Sequence, residues 1–185
     1  MIAILGESGS GKSTLLNKLT EHSPSRFKKV IYYTTRPKRE YEIDCVDYVF
    51  VDRDIFLRLN EDNFFATKTT FKNWQYGIAK EDIASNNPIP VCVVNPTEMR
   101  ELKRNGVDIF SVYLKVDRRS RIKKLIDRGD DIDEAYRRNL SDVGQFHGVE
   151  NEVDLVLENN NFEMDENQVL SRFLQFYYLS SKQLR

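Results

Sequence analysis

The chain holds few of the residues that staple or metallate small proteins. Its 185 residues include two cysteines and two histidines. Cys45 and Cys92 lie far apart at no metal-ligand spacing, which excludes a disulfide framework and predicts free thiols in a reducing compartment. Cys92, inside the apolar run Val91–Val94, reads as a core residue. Nothing near His22 or His147 resembles a hydrolytic triad or a metal cluster. Long apolar runs are missing too. No stretch approaches a membrane span, and the opening run Ile2–Leu5 is too short for a signal peptide. A cytoplasmic protein that does not engage membranes is expected. The formal net charge is −1, so the chain lacks the excess of one sign that coating nucleic acid requires. Repeats, low-complexity tracts and long linkers are absent. The length fits one domain with a sizeable core.

What charge there is lies unevenly. Arg26, Lys28, Lys29, Arg36, Lys38 and Arg39 cluster early; Arg118, Arg119, Arg121, Lys123, Lys124 and Arg128 cluster later; residues 150–166 are acidic. Most of these charges read as solvated faces. Beneath them, strand-length apolar runs alternate with helical patterns, the mark of an α/β fold with a parallel sheet and helices on both faces. Strands are expected at 2–5, 29–34, 48–51, 91–94 (bounded by Pro90 and Pro96), 109–116 and 155–157. Helices are expected at 14–21, 53–60 behind an Asp52 N-cap, 99–104, 119–127, 133–146 and 166–179. Between them, 64–71 and 74–78 read as two strands joined by a Lys72-Asn73 turn, a small β-rich insert.

The most informative stretch is Gly6-Glu7-Ser8-Gly9-Ser10-Gly11-Lys12-Ser13, followed by Thr14. It is G-x-x-x-x-G-K-[ST], after a strand-like run and before a helix-like one. The glycines let the backbone curl with its N–H groups inward, and the helix start adds its dipole, giving an anion cradle. Lys12 is placed to reach outer phosphates and the Ser13 hydroxyl to hold Mg²⁺. A nucleoside triphosphate is predicted to bind at Gly6, Ser8, Gly9, Ser10, Gly11, Lys12, Ser13 and Thr14.

A second constellation follows in Thr34-Thr35-Arg36-Pro37-Lys38-Arg39-Glu40-Tyr41-Glu42, then Asp47-Tyr48. Read as residues alone, it is an exposed basic loop or a phosphate site. For the second, Arg forks bind phosphate, a carboxylate holds a fork in position, and a Tyr hydroxyl donates. At this point the chain resembles the guanylate kinase family, through T-T-R-P-x-R-x-x-E and the following D-Y. Tyr76-Gly77, Arg128-Gly129 and Val153–Asn159 add to the resemblance, which covers nearly the whole chain.

The resemblance implies the P-loop NTPase fold in a single domain. Its core would be residues 1–31, 81–127 and 148–185, with a nucleoside-monophosphate-binding insert at 32–80 and a helical lid at 128–147. It implies an ATP-dependent nucleoside monophosphate kinase, with Mg²⁺ as cofactor and ATP and a nucleoside monophosphate as partners, acting as a monomer or homodimer. The acceptor would be held by Arg36, Arg39, Glu42, Tyr48, Tyr76 and Asn95, with Lys12, Arg128 and Arg138 catalytic. Arg137 shares the lid role with Arg138 as a possibility the sequence leaves open.

Departures from the family pattern stand beside it. Tyr32 or Tyr33 replaces a serine before Thr-Thr. Ala66 stands where the family reads guanine with a glutamate, Ile78 where a serine or threonine follows Tyr-Gly, and Asn95-Pro96-Thr97 where two aspartates lie. The insert is also about one residue longer. Thr67, Lys68, Thr69, Thr70 and Gln75 remain as polar candidates for reading a base. A sugar-phosphate kinase, a non-catalytic binding module and a nucleotide-switched ATPase are the competing readings.

Overall fold

The computed structural model describes residues 1–40 and 42–183. In chain order the elements are β1 (Ile2–Leu5), α1 (Lys12–His22), β2 (Phe27–Lys29), β3 (Tyr32–Thr34), β4 (Tyr48–Phe50), α2 (Arg53–Glu61), β5 (Phe65–Phe71), β6 (Trp74–Ala79), α3 (Lys80–Ala84), β7 (Ile89–Val93), α4 (Pro96–Arg104), β8 (Phe110–Lys115), α5 (Arg118–Asp127), α6 (Ile132–Asp142), β9 (Leu155–Glu158) and α7 (Glu166–Gln183).

Five strands form a sheet in the order β2-β7-β1-β8-β9, every pairing parallel. Parallel strands are covered on both faces, so they are continuously apolar rather than alternating. β1 shows it: Ile2, Ala3, Ile4 and Leu5 are all fully buried. Ile2 and Ile4 pack with Leu15, Leu16 and Leu19 of α1 and Phe173 of α7. Ala3 and Leu5 face the other way, onto Met99 and Leu102 of α4 and onto Val149. The carboxyl end of β1, where a crevice forms in open α/β sheets, carries the Gly6–Ser13 loop.

A second, mixed sheet runs β4-β3-β6-β5, with β3 and β4 parallel and the β5–β6 hairpin antiparallel. Lys72 and Asn73 turn that hairpin at φ 50° and 66°. At Gly77 an added Cβ would lie 2.6 Å from the Phe65 ring, so only glycine lets the two strands close there. A register shift between Phe65 and Thr67, a bulge at Ala66, accommodates an extra residue in β5.

The structure corrects several expected boundaries. The run 29–34 is not one strand. β2 ends at Lys29 in the parallel sheet, Val30 donates its N–H to Val91 O at 2.9 Å, and β3 starts in the other sheet at Tyr32. An unbroken apolar run carries no mark of which sheet each residue joins. Pro90 lies inside β7 rather than at its edge. It is tolerated because it pairs with β2 alone, while pairing to β1 begins at Val91. α4 begins at Pro96, where Asn95 and Glu98 form a capping box. α6 starts at Ile132 behind Asp131 and stops at Asp142, short of the expected Phe146, because Val143 and the left-handed Gly144 turn the chain away. α3 carries no strong sequence signal and was not expected.

Candidate active site

The cradle is held from beneath by a buried polar network. Arg121 of α5 is 5% exposed. It donates Nε to Val116 O at 3.0 Å and Nη1 to Ser8 O at 3.3 Å, and its Nη2 lies 3.5 Å from Glu7 Oε1. Tyr113 donates its hydroxyl to Glu7 Oε2 at 3.0 Å. The fit is close. Gly9 has φ +84°, and a Cβ there would stand 2.7 Å from Arg121 O. The sequence places Arg121 in a solvated basic cluster; Arg118, Arg119 and Lys123 of that cluster are exposed and Arg121 is not.

Lys12 opens α1 and folds back, donating Nζ to Glu7 O at 2.9 Å. Burial pulls its pKa down to about 8, and Asp142 and Glu7 offset only part of that. Ser10 is buried, its Oγ without a hydrogen-bond partner. Ser13 and Thr14 follow in the first turn of α1, Ser13 exposed. No group of three or more His, Cys, Asp or Glu among the described residues is arranged to hold a metal ion. Mg²⁺ in phosphoryl-transfer sites leans on phosphate oxygens and water with one or two protein oxygens. An exposed Ser13 hydroxyl at the cradle fits that demand.

The second constellation comes together around Glu42, which is 8% exposed. It takes Arg36 in a two-pronged grip: Nη2 to Oε1 at 2.6 Å and Nη1 to Oε2 at 3.0 Å. Oε2 also accepts the Arg39 N–H at 2.8 Å. The hydrogen bonds from Arg36 hold the Glu42 carboxyl below the usual carboxylate range. The Arg36 guanidinium lies 5.2 Å from the Tyr48 ring centroid and 5.7 Å from that of Phe50. Tyr48 meets Tyr76 edge to face at 6.1 Å, and burial raises the Tyr48 hydroxyl pKa. Arg36, Glu42, Tyr48 and Tyr76 are therefore brought together, with the Arg39 backbone tied to the same carboxylate and its side chain exposed.

Register sorts the polar candidates for a base. Thr34 pairs with Tyr76 and Tyr76 with Thr69; Ile78 pairs with Thr67. Side chains alternate along strands, so Thr67 and Thr69 share a face with Tyr32, Thr34 and Tyr76. Lys68, Thr70 and Gln75 lie on the opposite face, where Lys68 donates to Asn60 of α2 at 2.5 Å. α4 covers the Thr67 side with two carboxylates one turn apart. Glu101 accepts from the Thr67 hydroxyl. Glu98 accepts from the Tyr32 hydroxyl at 3.3 Å, and burial raises its pKa to about 7. Asn95 is committed as the N-cap of α4, its Oδ1 accepting Glu98 N–H at 2.9 Å.

At the other end, Arg128 caps α5 and pairs with Asp130 through Nε at 2.8 Å and through Nη2; its side chain is 61% exposed. Arg138 donates to Glu134 at 3.1 Å and lies 3.8 Å from Asp130, and its charge adds a small part to the lowering of the Lys12 pKa. Arg137 points elsewhere, 5.4 Å from the Phe71 ring at the hairpin tip, and Lys72 at that tip lies 3.6 Å from Glu134. α6 thus touches both the cradle and the second sheet. A cleft of about 570 Å³ opens beside the cradle, lined by Glu7, Arg118, Arg121, Asn139 and Asp142 among others. Asn139 stands where the family resemblance places a further lid arginine, whereas Asp142 carries no sequence signal beyond membership of a charged helix.

The family model described as guanylate kinase matches residues 1–176. The chain belongs to the guanylate kinase family. It is 32% identical over 187 aligned residues to a guanylate kinase of Hydrogenovibrio crunogenus, covering 97% of this chain and 89% of that one. To a guanylate kinase of Thermobifida fusca it is 30% identical over 164 residues, covering 86% and 83%. Among solved structures, guanylate kinase from Anaplasma phagocytophilum superposes with a TM-score of 0.71 at 21% identity, covering all of this chain and 87% of that one. A sugar kinase from Janibacter has a TM-score of 0.51 at 15% identity and covers 95% and 92%. At such identities these two show the fold, the α/β fold of P-loop NTPases. Family membership makes the chain a phosphotransferase of the nucleoside monophosphate kinase class. Guanylate kinases generally use Mg²⁺-ATP. No helix among the described residues is long and apolar enough to cross a membrane.

Proposed function

We propose that this chain transfers the γ-phosphoryl of ATP to the phosphate of GMP or dGMP, giving ADP and the nucleoside diphosphate. The observation that carries this is the pair of anion sites in one molecule: the Gly6–Ser13 cradle with Lys12, and the Glu42-held Arg36 beside Tyr48, which in turn meets Tyr76. Phosphoryl transfer demands positioning and charge neutralisation more than covalent chemistry. The acceptor oxygen is already ionised near neutral pH, so no general base is required.

Each residue then has a task. The loop amides and Lys12 hold the donor. Ser13 would hold Mg²⁺, which when bound neutralises phosphate charge. Arg36, Arg39, Tyr48 and Tyr76 hold the acceptor phosphate, and Glu42 fixes Arg36 in place. Residues 128–147 act as the lid and 32–80 as the acceptor-binding insert. Arg138 stabilises the transferring group; Arg128 has to leave Asp130 to do the same. Lid closure excludes the water that would hydrolyse the donor. The acceptor base lies on the Tyr32–Thr69 side of the second sheet, with Thr69 and Glu101 as its half-buried polar groups, above the buried Thr67 and Ile78.

The test is a coupled ADP-release assay across GMP, dGMP, AMP, dAMP, CMP, dTMP, UMP and ribose phosphates. Turnover with GMP or dGMP well above every other acceptor is expected. Turnover led by another base, or by a ribose phosphate, overturns the acceptor assignment; equal ADP release without any acceptor overturns the kinase.

A further inference from the structure

One carboxylate lies inside an anion site. Asp142, the last residue of α6, accepts the Ser8 N–H through Oδ2 at 2.7 Å. Ser8 belongs to the cradle, whose inward amides suit phosphate oxygens. The same carboxylate is the strongest attraction acting on Lys12, ahead of Glu7. Lys12 itself is turned back on the Glu7 carbonyl, at 2.9 Å. Arg138, four residues earlier on α6, shares the Asp142 face of the helix.

An anionic oxygen on a loop amide, beside the loop lysine, has the charge, acceptor character and position of a phosphate oxygen. We propose that Asp142 is a built-in phosphate surrogate: it closes the cradle while no donor is bound, and the donor binds by displacing the end of α6. This rests on the donor half of the proposed function. Two anions cannot share the cradle without strong repulsion at such range. Arriving phosphates therefore drive Asp142 out while attracting Arg138 on the same helix. Val143 and the left-handed Gly144, immediately after Asp142, give the chain a place to bend. Donor binding thereby resets the lid, and the empty enzyme holds its lid against the cradle with its own side chain.

The experiment measures the affinity of ADP and of inorganic pyrophosphate by titration calorimetry for the full chain and for Asp142→Asn and Asp142→Ala. Asp142→Ala should bind both roughly 10- to 100-fold more tightly, the worth of one charge-assisted hydrogen bond no longer surrendered on binding. Asp142→Asn, which keeps the acceptor and loses the charge, should fall between. Amide hydrogen exchange gives a second readout. Residues 130–147 should exchange faster in the empty alanine variant than in the parent and alike once ADP is bound. Equal or weaker affinity in both variants overturns the surrogate while leaving the donor site standing. Failure of the parent and both variants to bind ADP removes the donor reading and the surrogate together.

Discussion

Glu42 holds the guanidinium of Arg36 with both carboxylate oxygens, at 2.6 and 3.0 Å, and so sets the direction in which that cation faces. Both side chains are largely buried, 13% exposed for Arg36 and 7% for Glu42. Removing one partner of such a pair leaves the other uncompensated, at about 3–5 kcal/mol. Glu42→Gln should therefore lower stability by about that much and raise the acceptor KM by roughly 10-fold or more, leaving the donor KM unchanged. Arg36 depresses the Glu42 pKa in the folded chain. That stabilisation is present above the unfolded carboxyl value and lost as pH falls through the lowered folded one. Urea melts of parent and variant should differ by a constant amount near neutrality and converge in acid. A gap that persists at the acid end contradicts the pairing.

Lys12 enters the folded state with its pKa pulled down to about 8 by burial. Phosphates favour the charged form and raise it again on binding. Above about pH 8, ADP binding should take up a proton and weaken as pH rises. Titrations in two buffers of different ionisation enthalpy measure that uptake directly. For folding the slope has the same sign as that of Glu42, in a higher pH window. Between the folded value and the unfolded 10.5, the unfolded chain holds the extra proton, so Lys12 makes stability rise with pH across that window. Lys12→Met should abolish turnover and be no less stable than the parent at pH 7. Proton uptake of zero at pH 8.5 would remove Lys12 from the donor site.

The two neighbouring lid arginines face different ways. Arg138 shares the Asp142 face of α6, whereas Arg137 lies over Phe71. Arg138→Ala should lower kcat by about 10³-fold, the order expected for an arginine acting on a transferring phosphoryl group. Arg137→Ala should change kcat by less than about 5-fold. Steady-state kinetics at saturating donor and acceptor decide it, and the reverse ranking contradicts the geometry.

Arg121 and Glu7 brace the cradle from below. Arg121→Leu strips the Ser8 carbonyl and Glu7 of their partner and should cost about 3–5 kcal/mol in urea unfolding. The double variant Arg121→Leu with Glu7→Gln should recover part of that loss, since the remaining buried group is then neutral. A double variant no more stable than the single one shows that the pair is not coupled.

How far the sequence reaches depends on whether a signal is local. The cradle is legible because one continuous stretch, Gly6–Ser13, makes it, and the helix cap at Asp52 because a capping side chain stands a fixed step before its helix. The hairpin tip is legible from Lys72-Asn73, and Cys92 from its apolar run. What escapes the sequence is set by contacts between distant segments. Arg121 reads as one more exposed cation because nothing local says that Glu7 and Ser8 wait above it. Asp142 reads as helix charge because its partner lies 134 residues away. The β2–β3 division escapes because two sheets share one apolar run. The face that separates Thr67 and Thr69 from Lys68, Thr70 and Gln75 needs a register that the Ala66 bulge shifts by one.

The central claim is that a phosphoryl group passes directly between two anion sites facing one cleft. Phosphorus NMR of the enzyme with Mg²⁺, ATP and GMP follows that group itself. The γ-phosphoryl signal should be replaced by the β-phosphoryl signal of a nucleoside diphosphate formed from GMP, together with ADP and with little inorganic phosphate. Inorganic phosphate accumulating in step with ADP, with GMP unconsumed, would contradict it.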